Sequence, residues 1–182
     1  MAKYLSFRIP LEETSYKHVL AMENVAFKYE KNWLFSGLNL DIYRGDKIAM
    51  VGRNGAGKTT TVRILNTILS KTSGNASVGG YDISDESEKV KIICGFLPES
   101  PGLYEKLTAR EFLGFVGELY YLPKNVISER IEELLELFGL QERENDLLES
   151  YSRGMKQKIC LCAALIQDPR IIFLDEPTSN LD

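Results

Sequence analysis

The chain has 182 residues, with 22 Lys and Arg against 26 Asp and Glu and a formal net charge of −4. That length suits one domain with a substantial core, and the negative balance sets up no global field to draw nucleic acid or an anionic membrane. No apolar run approaches the length of a membrane span, residues 1–18 lack the apolar centre of a secretory leader, and Cys94, Cys160 and Cys162 lack metal-type spacing and read as buried or free thiols of a reducing cytoplasm.

In chain order, residues 19–29 and 34–43 both read as β-strands, separated by a polar turn at Glu30, Lys31 and Asn32. Arg44, Gly45 and Asp46 form a second turn. It leads into the apolar run Ile48, Ala49, Met50 and Val51, which predicts a buried parallel strand. Residues 52–60 follow as GRNGAGKTT and contain G-x-x-x-x-G-K-[ST], the phosphate-binding loop. The spacing has a chemical reason. Glycines let the backbone turn so that successive N–H groups face one concavity and hold phosphate oxygens. Lys58 is placed to reach the β- and γ-phosphates, and the Thr59 hydroxyl to sit on Mg²⁺. Thr61, Ile64, Leu65, Ile68 and Leu69 recur at helical spacing, so a helix aims its positive end at the same anion.

Gly79 and Gly80 within residues 75–83 predict a hairpin, and residues 92–97 a further apolar strand. The texture then becomes helical. Thr108 and Glu111 form a capping box ahead of an apolar face at Phe112, Leu113, Phe115, Val116, Leu119 and Tyr120. Pro123 ends it, residues 127–138 make a second helix capped at Gly139, and Ser152 opens a third that Asp168 and Pro169 stop. Residues 171–174 (Ile-Ile-Phe-Leu) are an apolar strand ending in Asp175 and Glu176. Carboxylates there sit at the C-terminal edge of the strand, where open α/β sheets bind ligands. Asp175 is placed for Mg²⁺ and Glu176 for the attacking water. Read alone, the pair is equally compatible with a solvated acidic loop.

With Pro177, Thr178, Ser179, Asn180, Leu181 and Asp182 following, the sequence resembles the ATP-binding cassette family, the nucleotide-binding domains of ABC transporters, from about residue 20 onward. Residues 152–157 (SRGMKQ) look like the family's LSGGQ signature. Arg153 stands for the first glycine and the glutamine is displaced to Gln157, a variant similar to export-type cassettes made apart from their permease. The resemblance implies a P-loop NTPase α/β fold. Its antiparallel β subdomain and core would occupy about 19–97 and 168–182, and its helical signature subdomain about 98–167. It also implies an ATP site. Gly52, Asn54, Gly55, Ala56, Gly57, Lys58, Thr59 and Thr60 would cradle the phosphates, and Tyr29 would stack on adenine, with Phe27 and Trp33 as nearby aromatics. Ser152, Gly154 and Gln157 would face the γ-phosphate held by a second subunit. Mg²⁺ would be reached by Thr59, Asp175 and Glu99, and Glu176 and Glu99 would act on water. Glu99 stands where the family usually has glutamine.

The same resemblance implies a homodimer closed by ATP, a separate transmembrane permease beside the helix at residues 112–122, and a place on the inner face of the membrane. The cargo is not legible. The family also has a histidine on a strand beyond the Asp-Glu pair. This sequence stops at Asp182, and its only histidine, His18, is expected at the surface. The implied fold therefore lacks its C-terminal core strands, leaves residues 48–51 and 171–174 flanking an empty slot, and suggests a fragment with an incomplete catalytic site. Two other readings stay open: a soluble cassette ATPase without a permease, and a nucleotide-binding module that does not hydrolyse.

Overall fold

The computed structural model describes residues 18–99 and 102–176. The phrase read at residues 177–182 and the polar stretch 1–17 lie outside them. β1 (His18–Tyr29) and β2 (Asn32–Tyr43) pair antiparallel across the turn at Glu30 and Lys31, with Tyr29 opposite Asn32 and Phe27 opposite Phe35. The other edge of β1 pairs with β3 (Ser73–Val78), which turns through Gly79 and Gly80 into β4 (Tyr81–Asp82), giving the order β2-β1-β3-β4. One face of β1 is buried through Leu20, Met22, Val25 and Phe27. The period of two slips between Met22 and Val25, where the register shifts and Asn24 takes a left-handed φ of 50°. The bulge keeps both apolar pairs on the inner face.

That face packs on α1 (Lys58–Leu65), through Ile64 and Leu65, and on Val90 of α2 (Ser87–Ile93). β5 (Cys94–Leu97) and β6 (Ile171–Leu174) form a separate parallel pair, Cys94 opposite Ile171 and Leu97 opposite Leu174. A second core is helical: α3 (Ala109–Leu119), α4 (Lys124–Phe138) and α5 (Arg153–Leu165) close around Leu113, Leu135, Leu148, Ile159 and Ile166, all fully buried. Burying each such side chain contributes about 1.5–3 kcal/mol relative to leaving it in water. β6 lies between the two cores, and its alternation shows it: Ile171 and Phe173 pack on the sheet core, Ile172 on the helical one.

Helix ends follow the local chemistry. Thr108 caps α3 reciprocally, its hydroxyl accepting from Glu111 N at 3.2 Å while the Glu111 carboxylate accepts from Thr108 N at 2.8 Å. Gly139 ends α4 in the left-handed conformation, and Leu140 N donates back to Leu135 O at 2.8 Å. Gly95 lets β5 approach the end of α5. A Cβ there would stand 2.1 Å from the Ala164 carbonyl oxygen and 2.9 Å from Pro169 Cγ.

Three expected elements differ. Residues 48–51 are not a strand: Ile48, Met50 and Val51 are exposed, Val51 at 93 %. A strand is a relation between neighbours, and among the described residues none pairs with this apolar run. The helix after the phosphate loop ends at Leu65 rather than reaching Ile68 and Leu69. Asn66 turns its amide onto Val62 O at 2.9 Å, Thr67 takes a φ of 59°, and Ile68 is exposed. The strand expected from Ile92 starts at Cys94, because Ile92 and Ile93 complete the last turn of α2.

Candidate nucleotide-binding site

The phosphate loop sits between β2 and α1. Gly57 is the N-cap residue of α1 with φ 92°, and a Cβ there would lie 3.0 Å from Phe35 Cδ1, so both its conformation and its space require glycine. Among the described residues no side chain caps α1, and no acidic residue occupies its first turn. Its leading N–H groups, which a helix cannot satisfy internally, are left to an anion. Lys58 curls across the loop, its Nζ donating to Gly52 O at 2.7 Å and Arg53 O at 3.2 Å. These carbonyls hold the ammonium over the concavity that phosphate oxygens would fill.

Asp175 follows β6 and is 5 % exposed. Its backbone N–H extends the parallel ladder by donating to Leu97 O at 2.9 Å. Its Oδ1 accepts from the Thr59 hydroxyl at 3.1 Å, while Oδ2 is buried without a hydrogen-bond partner among the described residues. An orphaned carboxylate oxygen is costly. A hydroxyl, a carboxylate and room for phosphate oxygens are the hard oxygen donors that Mg²⁺ takes, so these residues fit that ion.

Glu176 comes next, exposed, with a left-handed φ of 50°. For a non-glycine residue that conformation costs about 1–3 kcal/mol, and such strain clusters at working sites. Glu99 is also exposed. Because Leu97 and Leu174 are in register, Glu99 and Glu176, each two residues further on, leave the same edge of the β5–β6 pair.

Tyr29 ends β1, 54 % exposed as a residue, with its hydroxyl 3.5 Å from Thr60 Oγ1, beside the loop. Phe27 belongs to the core, edge-on to the Tyr29 ring at 4.8 Å. Trp33 is exposed and carries the Lys28 ammonium over its ring. Ser152 is the N-cap of α5, its Oγ accepting from Met155 N at 3.3 Å. Gly154 is half-buried in the first turn. Gln157, one helical turn beyond Gly154 on α5, is 4 % exposed.

His18 is exposed, against Tyr43. Cys94, Cys160 and Cys162 are buried, which pushes each thiol up to about 12 and keeps it from acting as a nucleophile near neutrality. Sequence reasoning missed Phe35, whose ring lies against Gly57. Its alternation in β2 was legible, but the neighbour it meets was not.

Phosphate loop, buried aspartate and paired glutamates at a strand edge, joined to a capped helical unit, define a nucleotide-binding α/β domain of the P-loop class. The chain belongs to the ABC transporter family, whose family model matches residues 35–179. It is 38 % identical over 164 residues to the linearmycin resistance ATP-binding protein LnrL of Bacillus subtilis, covering 90 % of this chain and 53 % of that protein. It is 36 % identical over 163 residues to the daunorubicin resistance ATP-binding protein DrrA3 of Streptomyces coeruleorubidus, covering 90 % and 52 %. The chain thus spans about half the length of these curated relatives. Among solved structures, the ATP-binding subunit of an ABC transporter superposes with a TM-score of 0.80 at 30 % identity, covering 89 % of this chain and 68 % of that one. CbiO1 of Clostridium perfringens, part of the ABC transporter complex cbiONQ, gives 0.80 at 26 %, covering 92 % and 68 %.

Proposed function

We propose that this chain binds MgATP and hydrolyses it as the power subunit of an ABC-type exporter, pairing head to tail with a second copy around the nucleotides. The observation that carries this reading is the Thr59–Asp175 contact with its unpartnered Asp175 Oδ2 beside an uncapped, glycine-built loop. The loop N–H groups and Lys58 hold the β- and γ-phosphates. Thr59 and Asp175 hold Mg²⁺, which neutralises charge on the phosphate oxygens when bound. Glu176 orients the water that attacks the γ-phosphorus as the bond to ADP breaks, and Glu99 approaches water and metal from the same edge. Tyr29 offers its exposed ring to the adenine. Ser152 and Gly154, at the head of α5, face the γ-phosphate of the second copy.

The names of the two resistance proteins support export, and membership of CbiO1 in a multi-chain complex supports a separate permease. Among the described residues no helix is long and apolar enough to cross a membrane. A groove of about 220 Å³ beside Phe96, Leu97 and Pro98 is bordered by Phe112, Val116 and Tyr120 of α3, and it offers an apolar seat for a permease helix. In this reading the subunit lies on the cytoplasmic face of the membrane, and residues 98–167 are its signature-bearing subdomain.

The test is equilibrium binding of a fluorescent ATP analogue in Mg²⁺. Lys58→Ala should weaken binding by tenfold or more, about 1.4 kcal/mol, with an unchanged melting temperature, because its two hydrogen bonds are exposed. Equal binding by wild type and variant rejects the reading.

A further inference from the structure

Residues 102–108 follow Glu99 in the chain, and residues 147–152 lead into α5. The two segments run side by side. Leu148 N donates to Leu107 O at 2.9 Å, Glu149 N donates to Glu105 O at 3.0 Å, and Thr108 and Leu147 form an antiparallel bridge. Leu148 and Tyr151 are buried in the helical core, so this ladder is anchored from below.

Two ion pairs cross the same seam, Lys106 to Glu149 and Lys156 to Glu105, each at 2.5 Å. They are not equivalent. The Lys106 side chain is 83 % exposed and fully solvated, and such pairs contribute little. Lys156 is 26 % exposed and is the fourth residue of α5. A lysine there opposes the positive end of the helix dipole, and the first turn of α5 contains no acidic residue to offset it. Glu105 supplies that charge from a different segment. Its carboxylate meets Lys156 while its own carbonyl accepts from Glu149, so one residue grips both the approach to α5 and its first turns.

We infer that Glu105 and Lys156 are a positioning pair that transmits the state of the Glu99 segment to Ser152 at the head of α5. The inference rests on the ATPase reading above and deepens it. It names a route inside one chain by which nucleotide on the phosphate loop is felt at the signature offered to a second copy. Nucleotide engages the edge that carries Asp175, Glu176 and Glu99. Movement of residues 102–107 then acts on α5 through the backbone ladder and through the Glu105–Lys156 ion pair. Neither Glu105 nor Lys156 belongs to the phosphate loop or to the Asp175–Glu176 edge.

The experiment uses Lys156→Glu, Glu105→Lys and the double exchange, with Lys156→Met and Glu105→Gln as packing-preserving variants should a reversal fail to fold. Two quantities are read: binding of a fluorescent ATP analogue, and amide hydrogen exchange at residues 105–107 and 152–158 with and without saturating MgATP. All variants should bind the analogue within about twofold of wild type, since the phosphate loop and Asp175 lie elsewhere. In wild type MgATP should slow exchange several-fold in both segments. In each single variant the slowing should persist at 105–107 and vanish at 152–158, and the double exchange should bring it back. Retained protection at 152–158 in the single variants, no recovery in the double exchange, or no wild-type response at 152–158 overturns the inference. The ATPase reading fails separately, by binding that is absent or that survives Lys58→Ala.

Discussion

The Thr59 hydroxyl donates to Asp175 Oδ1 across 3.1 Å, joining residues 116 apart in the chain. One stands on the second residue of α1 and the other just past β6, so this bond fixes the helix that follows the phosphate loop against the strand that ends in carboxylates. Among the described residues, Asp175 Oδ2 remains buried and unpartnered beside it.

Asp175→Asn follows from that geometry. The amide still accepts from Thr59, so the fold persists, but the charge that draws Mg²⁺ is gone. Wild type should lose ATP affinity by about tenfold on adding EDTA, a cost near 1.4 kcal/mol, while the variant should start weak and show no EDTA effect. An EDTA response of wild-type size in the variant would place the metal elsewhere.

Glu176→Gln should separate binding from turnover. Asp175, Lys58 and the loop are untouched, so ATP affinity should stay near wild type. Loss of the carboxylate that orients water should lower phosphate release by about 10²–10⁴-fold, measured on a preparation of the protein that turns over. Glu99 leaves the same strand edge and is the next candidate if turnover survives.

Gly95→Ala should destabilise the fold without touching the site. Its Cβ would meet the Ala164 carbonyl at 2.1 Å, a backbone atom that cannot swing aside. Forcing β5 and α5 apart should cost about 1–3 kcal/mol, seen as a lower urea midpoint. A midpoint equal to wild type would show that the β5–α5 approach is not tight in solution.

The thiols predict an alkaline limit. Burial raises Cys94, Cys160 and Cys162 from 9.0 to about 12 in the folded chain. Above pH 9 the unfolded thiols ionise while the folded ones stay protonated, so the folded state binds more protons and stability falls as pH rises. The loss should approach 1.4 kcal/mol per pH unit for each thiol, roughly, up to the folded value. Half-buried Tyr120 and buried Tyr151, also raised, act in the same direction at higher pH. Urea midpoints should be level from pH 7 to 8.5 and decline beyond. Replacing all three cysteines with alanine should make that decline shallower, and an unchanged slope would reject the assignment.

The sequence by itself determined what chemistry depends on local spacing. The phosphate loop, the Thr108–Glu111 capping box, the Gly79–Gly80 turn, the left-handed cap at Gly139 and the carboxylates after an apolar run are each written within a few residues. Backbone torsions and short-range hydrogen bonds settle them without help from the rest of the chain. Only the tertiary structure decided what needs a neighbour. Residues 48–51 are as apolar as residues 171–174, yet among the described residues the first run pairs with no strand and lies exposed, while the second pairs with β5 and sits between two cores. Gln157 matched a motif in one dimension, and only the fold shows that it is buried. Phe35 against Gly57, Glu105 on Lys156, and Thr59 on Asp175 join segments that no local pattern connects. Hydrophobic burial is non-directional and says only that an apolar run will be covered. Which partner covers it, and which polar atoms are thereby left facing one another, is fixed when the chain closes on itself.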